Sequence, residues 1–409
     1  MAATPAMTMA DCDTDIGGIR LPPGFCAAVF ADQLGTARHL AVNRNGDVYV
    51  ALQSPHSGGG IVALRDTRGD GHADQMRYFG EFGGTGIGIH GGYLYFATNT
   101  QVLRYKLLAG ELVPHQPPQV VISDFPPQDQ HAAKSIAFDG RGRLYVNVGA
   151  PSNACQQEDR ASGSPGINPC PLLAQHGGIW VFDADKPDQI FARDGRRYAT
   201  GIRNAVAITW DPLTHMLYAL QMGRDQLHDD WPALYSVAQS AELPAEEFFL
   251  VHPGDNFGWP YCYYDQIRHK KVRAPEYGGD GVKSGDCGDY GQPIAAFPGH
   301  WAPESVLFYT GRAFPPRYHG GAFITFHGSW NRAPLPQAGY RVVFVPFAGL
   351  LPSGAYQDFA DGFMGRETIL SPGEARYRPM GLAQGPDGAL YIGDSQQGRI
   401  WRVIYTGPR

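Results

Sequence analysis

The chain has 409 residues, among them 53 glycines and 33 prolines, with 12% aromatic and only 18% charged residues and a formal net charge of −6. That charge, without a basic block, argues against a nucleic-acid partner, and the lack of a run of 18 or more apolar residues predicts no membrane-spanning helix. Abundant Gly and Pro with few charges suit many short strands and turns better than helices.

In chain order, "MAATPAMTMADCDTD" at the start lacks the basic flank and apolar core of a secretory leader. We expect a tail over residues 1–20 and a single domain over 21–409. The first strand is "GFCAAVFA" (24–31), and a repeated unit follows. "NRNGDVYVALQ" (43–53), "IHGGYLYFATN" (89–99), "DGRGRLYVNVG" (139–149), "DPLTHMLYALQMG" (211–223), "YHGGAFITFHG" (318–328) and "GPDGALYIGDS" (385–395) share one design. Each is a turn, then an apolar residue, an aromatic or β-branched core and a small or polar exit, anchored on Tyr49, Tyr95, Tyr145, Tyr218, Phe323 and Tyr391. Further strands follow several copies, such as "GGIVAL", "GGIWVFDAD" and "RIWRVIY". Antiparallel meanders recurring along the whole chain predict an all-β fold, a six-bladed β-propeller. Strand 24–31 would complete the last blade; a β-sandwich would not account for six similar units.

The intervals between Tyr145, Tyr218 and Phe323 are longer than a blade needs, and they are expected to place long loops over one face and the site beneath them. The six cysteines, Cys12, Cys26, Cys155, Cys170, Cys262 and Cys287, fall into three sequence-local pairs without C-x-x-C spacing. Local disulfides in an oxidising compartment, secreted or periplasmic, are expected, although six cysteines allow fifteen connectivities. "DTRGDGHAD" (66–74) resembles an acidic calcium loop, but Arg68 at its third position favours a hairpin turn.

Arg38 in "TARHLAV", His131 in "DQHAAKSIAF", Arg203 and Asn204 in "TGIRNAVAI", and Arg376 and Arg378 in "ARYRPMGLA" each stand just before a blade's first strand. Equivalent blade positions face one axis, so these groups should converge into a polyanion pocket with a base in it. Arg376 and Arg378, two apart in an extended segment, should face the same way. The alternative is that such residues only cap the channel.

Together, "LPPGF", "QHAAKSIAFDGRGRLYVNVG", "GIRNAVAITWDP", "GDNFGWPYC", "HGSWNR" and "RYRPMGLAQGPDGALYIGD" resemble the soluble quinoprotein sugar dehydrogenases, the glucose/sorbosone dehydrogenase family. They are also similar to the pyrroloquinoline-quinone (PQQ) domain of fungal pyranose dehydrogenases. The resemblance runs from about Leu21 to the C-terminus. It implies PQQ and a calcium ion over the channel, oxidation of a sugar, and an external electron acceptor such as a cytochrome, quinone or dye. It also implies roles. His131 matches the general base; Arg203 stands beside the quinone carbonyl with Asn204; Arg376 and Arg378 grip the PQQ carboxylates, with Arg38 adding a contact. "HGSWNR" supplies further cofactor contacts from His327, Trp330 and Asn331, and "LQMGRD" supplies the backbone carbonyls of Gly223 and Arg224 as calcium ligands.

The chain departs from the bacterial glucose enzyme in two places: Ala150 stands where an aspartate would orient the base, and no lysine is evident near "HGSWNR". Both departures favour the pyranose or sorbosone branch. The competing classes are a calcium-dependent propeller lactonase, which needs several carboxylates on the metal, and a non-catalytic binding propeller. No C-x-x-C-H haem attachment site is present, so no fused cytochrome is expected.

Overall fold

The computed structural model describes residues 12–408, so the first eleven residues of the expected tail and the last residue of the expected domain lie outside it. Six sheets form the blades of a propeller: five have four antiparallel strands, and blade two adds the two-residue strand Gln189–Ile190, parallel to its outer strand Gln119–Ser123; no described helix exceeds six residues. Blade one is built from Ala37–Val42, Val48–His56, Gly59–Arg65 and Gln75–Phe79. The innermost strands of blades two to six are Gly86–His90, Ile136–Phe138, Ala207–Asp211, Pro303–Phe308 and Pro379–Gln384. Blade six takes its outer strand, Phe25–Ala31, from the start of the chain, with Phe25 opposite Tyr405. The ring therefore closes as the sequence predicts, and its two ends are held by a hydrogen-bonded ladder.

The six anchor residues explain why the blades stack. Each lies on the second strand of its blade and packs into the interface with the next one: Tyr49 against Leu94 and Phe96, Tyr95 against Leu144 and Val146, and Tyr391 against Val50 and Val62. An aromatic ring fills the gap between twisted sheets, and its polar tip needs an acceptor when buried. Tyr49 donates to the Leu112 carbonyl (3.2 Å), Tyr95 to that of Ala184 (2.7 Å) and Tyr218 to that of Leu350 (3.0 Å). The alternation of side chains in the repeat thus becomes six apolar clusters arranged around the ring.

The long intervals are insertions fastened by disulfides. Cys155 bonds Cys170 and Cys262 bonds Cys287, while Cys12 bonds Cys26 on the outer strand of blade six. The described part of the expected tail is packed: Ile19 is buried, and Asp13 donates its amide to the Ala27 carbonyl. The hairpin Cys262–Asp265 and Lys270–Arg273 leads into Tyr277, whose hydroxyl donates to the Ala154 carbonyl and ties the two insertions together. The acidic segment 66–74 is a connection between the third and outer strands of blade one, with Asp66 accepting the amides of Arg68, Gly69 and Gly71. Its oxygens are used in closing the turn.

Candidate active site

In an antiparallel blade the start of the inner strand and the end of the second strand lie at the same end. Segments entering inner strands and loops leaving second strands therefore meet on one face. A cavity of about 260 Å³ opens there, lined by His131, Arg203, Gly223, Asp225, Glu246 and Trp330, with Arg160, Met222 and Asn331 among its other walls.

His131 sits in left-handed backbone (φ 52°), an uncommon state for a non-glycine residue that surrounding bonds must hold. Gln128 does so: its amide nitrogen lies 2.8, 3.0 and 2.9 Å from the carbonyl oxygens of Gln130, His131 and Gly149. Lys134, fully buried, donates to the carbonyl of Ala132. The imidazole Nδ1 donates to the Ala150 carbonyl at 2.6 Å, which leaves Nε2 as the acceptor. The position where the sequence lacks an orienting aspartate thus orients the ring through its main chain. Burial, followed by the Arg203 charge, lowers the His131 pKa to about 3, so the ring is neutral at ordinary pH.

Arg203 is buried behind it. Its guanidinium donates to the Asn153 carbonyl (3.1 Å), Asn153 Oδ1 (3.1 Å), the Gly223 carbonyl (2.8 Å) and Asp225 Oδ2 (2.7 Å). A guanidinium has five N–H donors, so one remains, on Nη1. Asp225 also accepts from Arg160 (2.9 Å) and Asn331 (2.6 Å). Burial opposes its charge, but Arg203 and Arg160 hold its pKa well below the usual carboxylate range. Glu246 accepts the amides of Gly223 (2.9 Å) and Ala302 (3.0 Å), and burial raises its pKa to about 8. The cavity therefore combines a neutral base, fixed cations and one carboxyl that is protonated near neutrality.

A second cluster adjoins through segments 302–304 and 327–331. Arg38 faces Glu304 at 3.5 Å and donates to Thr85, His327 Nδ1 lies 3.9 Å from Glu304, and Arg378 donates to the carbonyls of His327 (3.2 Å) and Gly328 (2.7 Å). Burial, then Arg378 and Arg38, pushes the His327 pKa far down. Both nitrogens of His327 are placed, since Nε2 lies 2.7 Å from Ser395 Oγ. Arg38 and Arg378 keep guanidinium donors that no described protein acceptor takes up, and such donors suit an anion.

The sequence expectations divide accordingly. His131, Arg203, Gly223, Trp330 and Asn331 line one cavity, with Trp330 half exposed. Asn204 lies beside it, accepting from Asn147 and turning its amide to Met222 Sδ. One expectation requires correction. It does not concern Arg224, whose side chain is paired with Asp230 (2.7 Å) and Glu276 in the protein interior, since only its main chain was expected to meet a ligand. Arg376 does not share a pocket with Arg378: the chain bends at Arg376, its stem backs onto Gly365, and its guanidinium lines a different cavity. The bend breaks the two-residue period on which that expectation rested. Arg160, Glu246, Glu304 and Gln128 have no motif that marks them; their roles come from loops and strand starts brought together only in the fold.

Two groups fit this site on the chemistry of its donors. A flat polyanion such as PQQ matches the remaining donors of Arg38, Arg203 and Arg378, and the buried Asn331 Oδ1, which has no hydrogen-bond partner, is a further polar contact. For calcium the expected oxygens are the main-chain carbonyls of Gly223 and Arg224; Gly223 lines the cavity, and its carbonyl also accepts from Arg203. Calcium takes roughly 6–8 oxygens, so most of its shell must come from cofactor and water. Among the described residues, the one cluster of three potential metal ligands is Cys262, Asp286 and Cys287, and its cysteines are disulfide-bonded.

The fold and site define a six-bladed propeller with an arginine-lined axial cavity containing the imidazoles of His131 and His300, the latter held by the carbonyls of Ser240 and Leu243. The family described as TrAA12-like matches residues 19–406, and the chain belongs to that family. It is 27% identical over 280 residues to the pyrroloquinoline quinone-dependent pyranose dehydrogenase of Coprinopsis cinerea, covering 59% of this chain and 36% of that protein. It is 26% identical over 280 residues to an uncharacterized protein of Borreliella burgdorferi, covering 67% of this chain and 61% of that one. The match thus takes up less than two thirds of either curated relative. The holo PQQ domain of the Coprinopsis enzyme superposes with a TM-score of 0.76 at 18% identity, over 96% of this chain and 98% of that one. The calcium structure of the Trichoderma reesei carbohydrate-active enzyme of family AA12 gives 0.77 at 18%, over 98% and 100%. These likenesses establish the fold.

Proposed function

We propose that this chain is a PQQ-dependent oxidoreductase that removes hydrogen from a sugar carbon bearing a hydroxyl and passes the electrons to an external acceptor. The observation that carries this reading is the neutral imidazole of His131, fixed by the Ala150 carbonyl and facing a cavity that also contains Arg203. Membership of the TrAA12-like family and the likeness to the Coprinopsis dehydrogenase support it. The quinone, when bound, supplies the hydride acceptor.

His131 takes the hydroxyl proton on Nε2 while Nδ1–H stays on the Ala150 carbonyl, so the ring leaves its tautomer without rotating. Arg203 would offer its remaining N–H to an oxygen on which negative charge develops; four protein acceptors hold it in place, so it would need no reorganisation. Arg38 and Arg378 would hold carboxylates of the cofactor, and Trp330, half exposed, would offer a face for stacking. Gly223 and Arg224 offer their carbonyls to calcium. Three disulfides suit an extracellular or periplasmic site of action. No described helix is long and apolar enough to cross a membrane.

The test is reconstitution. Purified protein given PQQ and calcium should acquire the absorbance of bound quinone and then reduce a dye only when a pyranose or aldose is added. Absence of quinone binding, or dye reduction independent of sugar, would overturn the reading.

A further inference from the structure

A second cavity, of about 390 Å³, opens where blade five meets blade six. The loop after the second strand of blade five separates it from the first: Ser329 and Asn331 line the His131 cavity, while Gly339 and Tyr340 line this one. Arg20, Arg341, Arg366 and Arg376 stand around it. Arg20 is paired with Asp361 (2.7 Å) and Arg341 with Asp358 (2.9 Å). Among the described residues Arg366 and Arg376 meet no carboxylate, and Arg376 rests over the ring of Tyr377 with its guanidinium 5.3 Å from the centroid. Glu367, the remaining carboxylate on the wall, makes no ion pair among the described residues.

Tyr340 packs into the same wall: it is 2% exposed, and its hydroxyl is sealed in the protein. The wall is also kept thin. Gly18 and Gly362 both have φ of 83°, and a Cβ on Gly362 would lie 2.5 Å from the Gly18 carbonyl oxygen. A side chain at either position would strain the backbone or narrow the space.

We propose that this cavity binds an acidic sugar, with its carboxylate held by Arg366 and Arg376. Two unpaired guanidiniums select an anion. The volume lies within the range of about 300–1,000 Å³ typical of small-ligand sites. The saccharide part rests on the sugar-oxidising reading given above; capture of the anion does not.

The experiment is titration calorimetry of the purified chain, without PQQ, against D-galacturonate, D-galactose and inorganic sulfate. Galacturonate should bind with one-to-one stoichiometry, and the double variant Arg366→Ala/Arg376→Ala should lose about tenfold or more in affinity, the scale of a charge-assisted contact, with an unchanged melting temperature. Galactose should bind at least about tenfold more weakly, and His131→Ala should bind galacturonate like the wild type. Equal affinity of the double variant and wild type, or of galactose and galacturonate, would overturn the site. Sulfate binding as tightly as galacturonate through the same two arginines would overturn the sugar assignment. PQQ binding is followed in parallel by absorbance. If Arg376→Ala lost PQQ but kept galacturonate, the assignment of this arginine would be wrong. If the wild type bound no PQQ, the cofactor reading would fail while the galacturonate titration still tested this cavity.

Discussion

At the scale of residues, the account depends on His131. Its place just ahead of a blade's inner strand was legible in the sequence, because Arg203 holds the like position in another blade, whereas Arg38 lies within its own inner strand. The group that orients it was not legible, since every residue has a carbonyl and only the fold brings that of Ala150 to Nδ1. Glu246 and Glu304 were hidden for a related reason: a carboxyl at the start of a strand reads as a polar edge until the blades close over it. The depressed His131 pKa has a consequence for stability. The folded ring takes a proton only near pH 3, whereas the unfolded one takes it near 6.5. Between these values the unfolded state binds more protons, so stability falls as pH falls. His131→Asn should remove this contribution: melting temperatures of variant and wild type, compared from pH 7 to pH 4, should show a shallower decline in the variant. Parallel curves would mean that the ring is not held neutral.

At the scale of elements, the second strands were the readable part. A turn followed by an aromatic anchor recurs six times, and each anchor fills one interface between blades. The loops were readable only as lengths. Arg160, Asn153 and the Cys155–Cys170 bond belong to one insertion, and no period in the sequence says that Arg160 reaches Asp225. The bend that turns Arg376 from Arg378 is a local departure of the same kind. Since Asn153 and Arg160 both hold the Arg203 and Asp225 pair, the disulfide should stabilise the site as well as the fold. Cys155→Ser/Cys170→Ser should cost about 3 kcal/mol in denaturant unfolding, the loop-entropy scale for a link of this length, and should weaken PQQ binding. Loss of stability with unaltered PQQ affinity would separate the insertion from the site.

At the scale of the whole molecule, closure of the ring brings dispersed charges together on one face, in adjoining clusters. The strand Phe25–Ala31 joins blade six, so residues near both ends of the chain and from its middle surround a single axis. The metal proposal belongs here too: Gly223 and Arg224 would give calcium two neutral oxygens, and the cofactor would have to complete the shell. Calcium alone should therefore leave the melting temperature unchanged, while calcium with PQQ should raise it above the value with PQQ alone; a rise with calcium alone would place the ion elsewhere. The most direct test of the central claim is a single-turnover experiment at pH 7. Protein loaded with PQQ is mixed with sugar, and bleaching of the bound quinone is followed in wild type and His131→Ala. The variant should bind quinone with near wild-type affinity and bleach about 100-fold more slowly or worse, the scale of a lost general base. Equal bleaching rates would contradict the role assigned to His131.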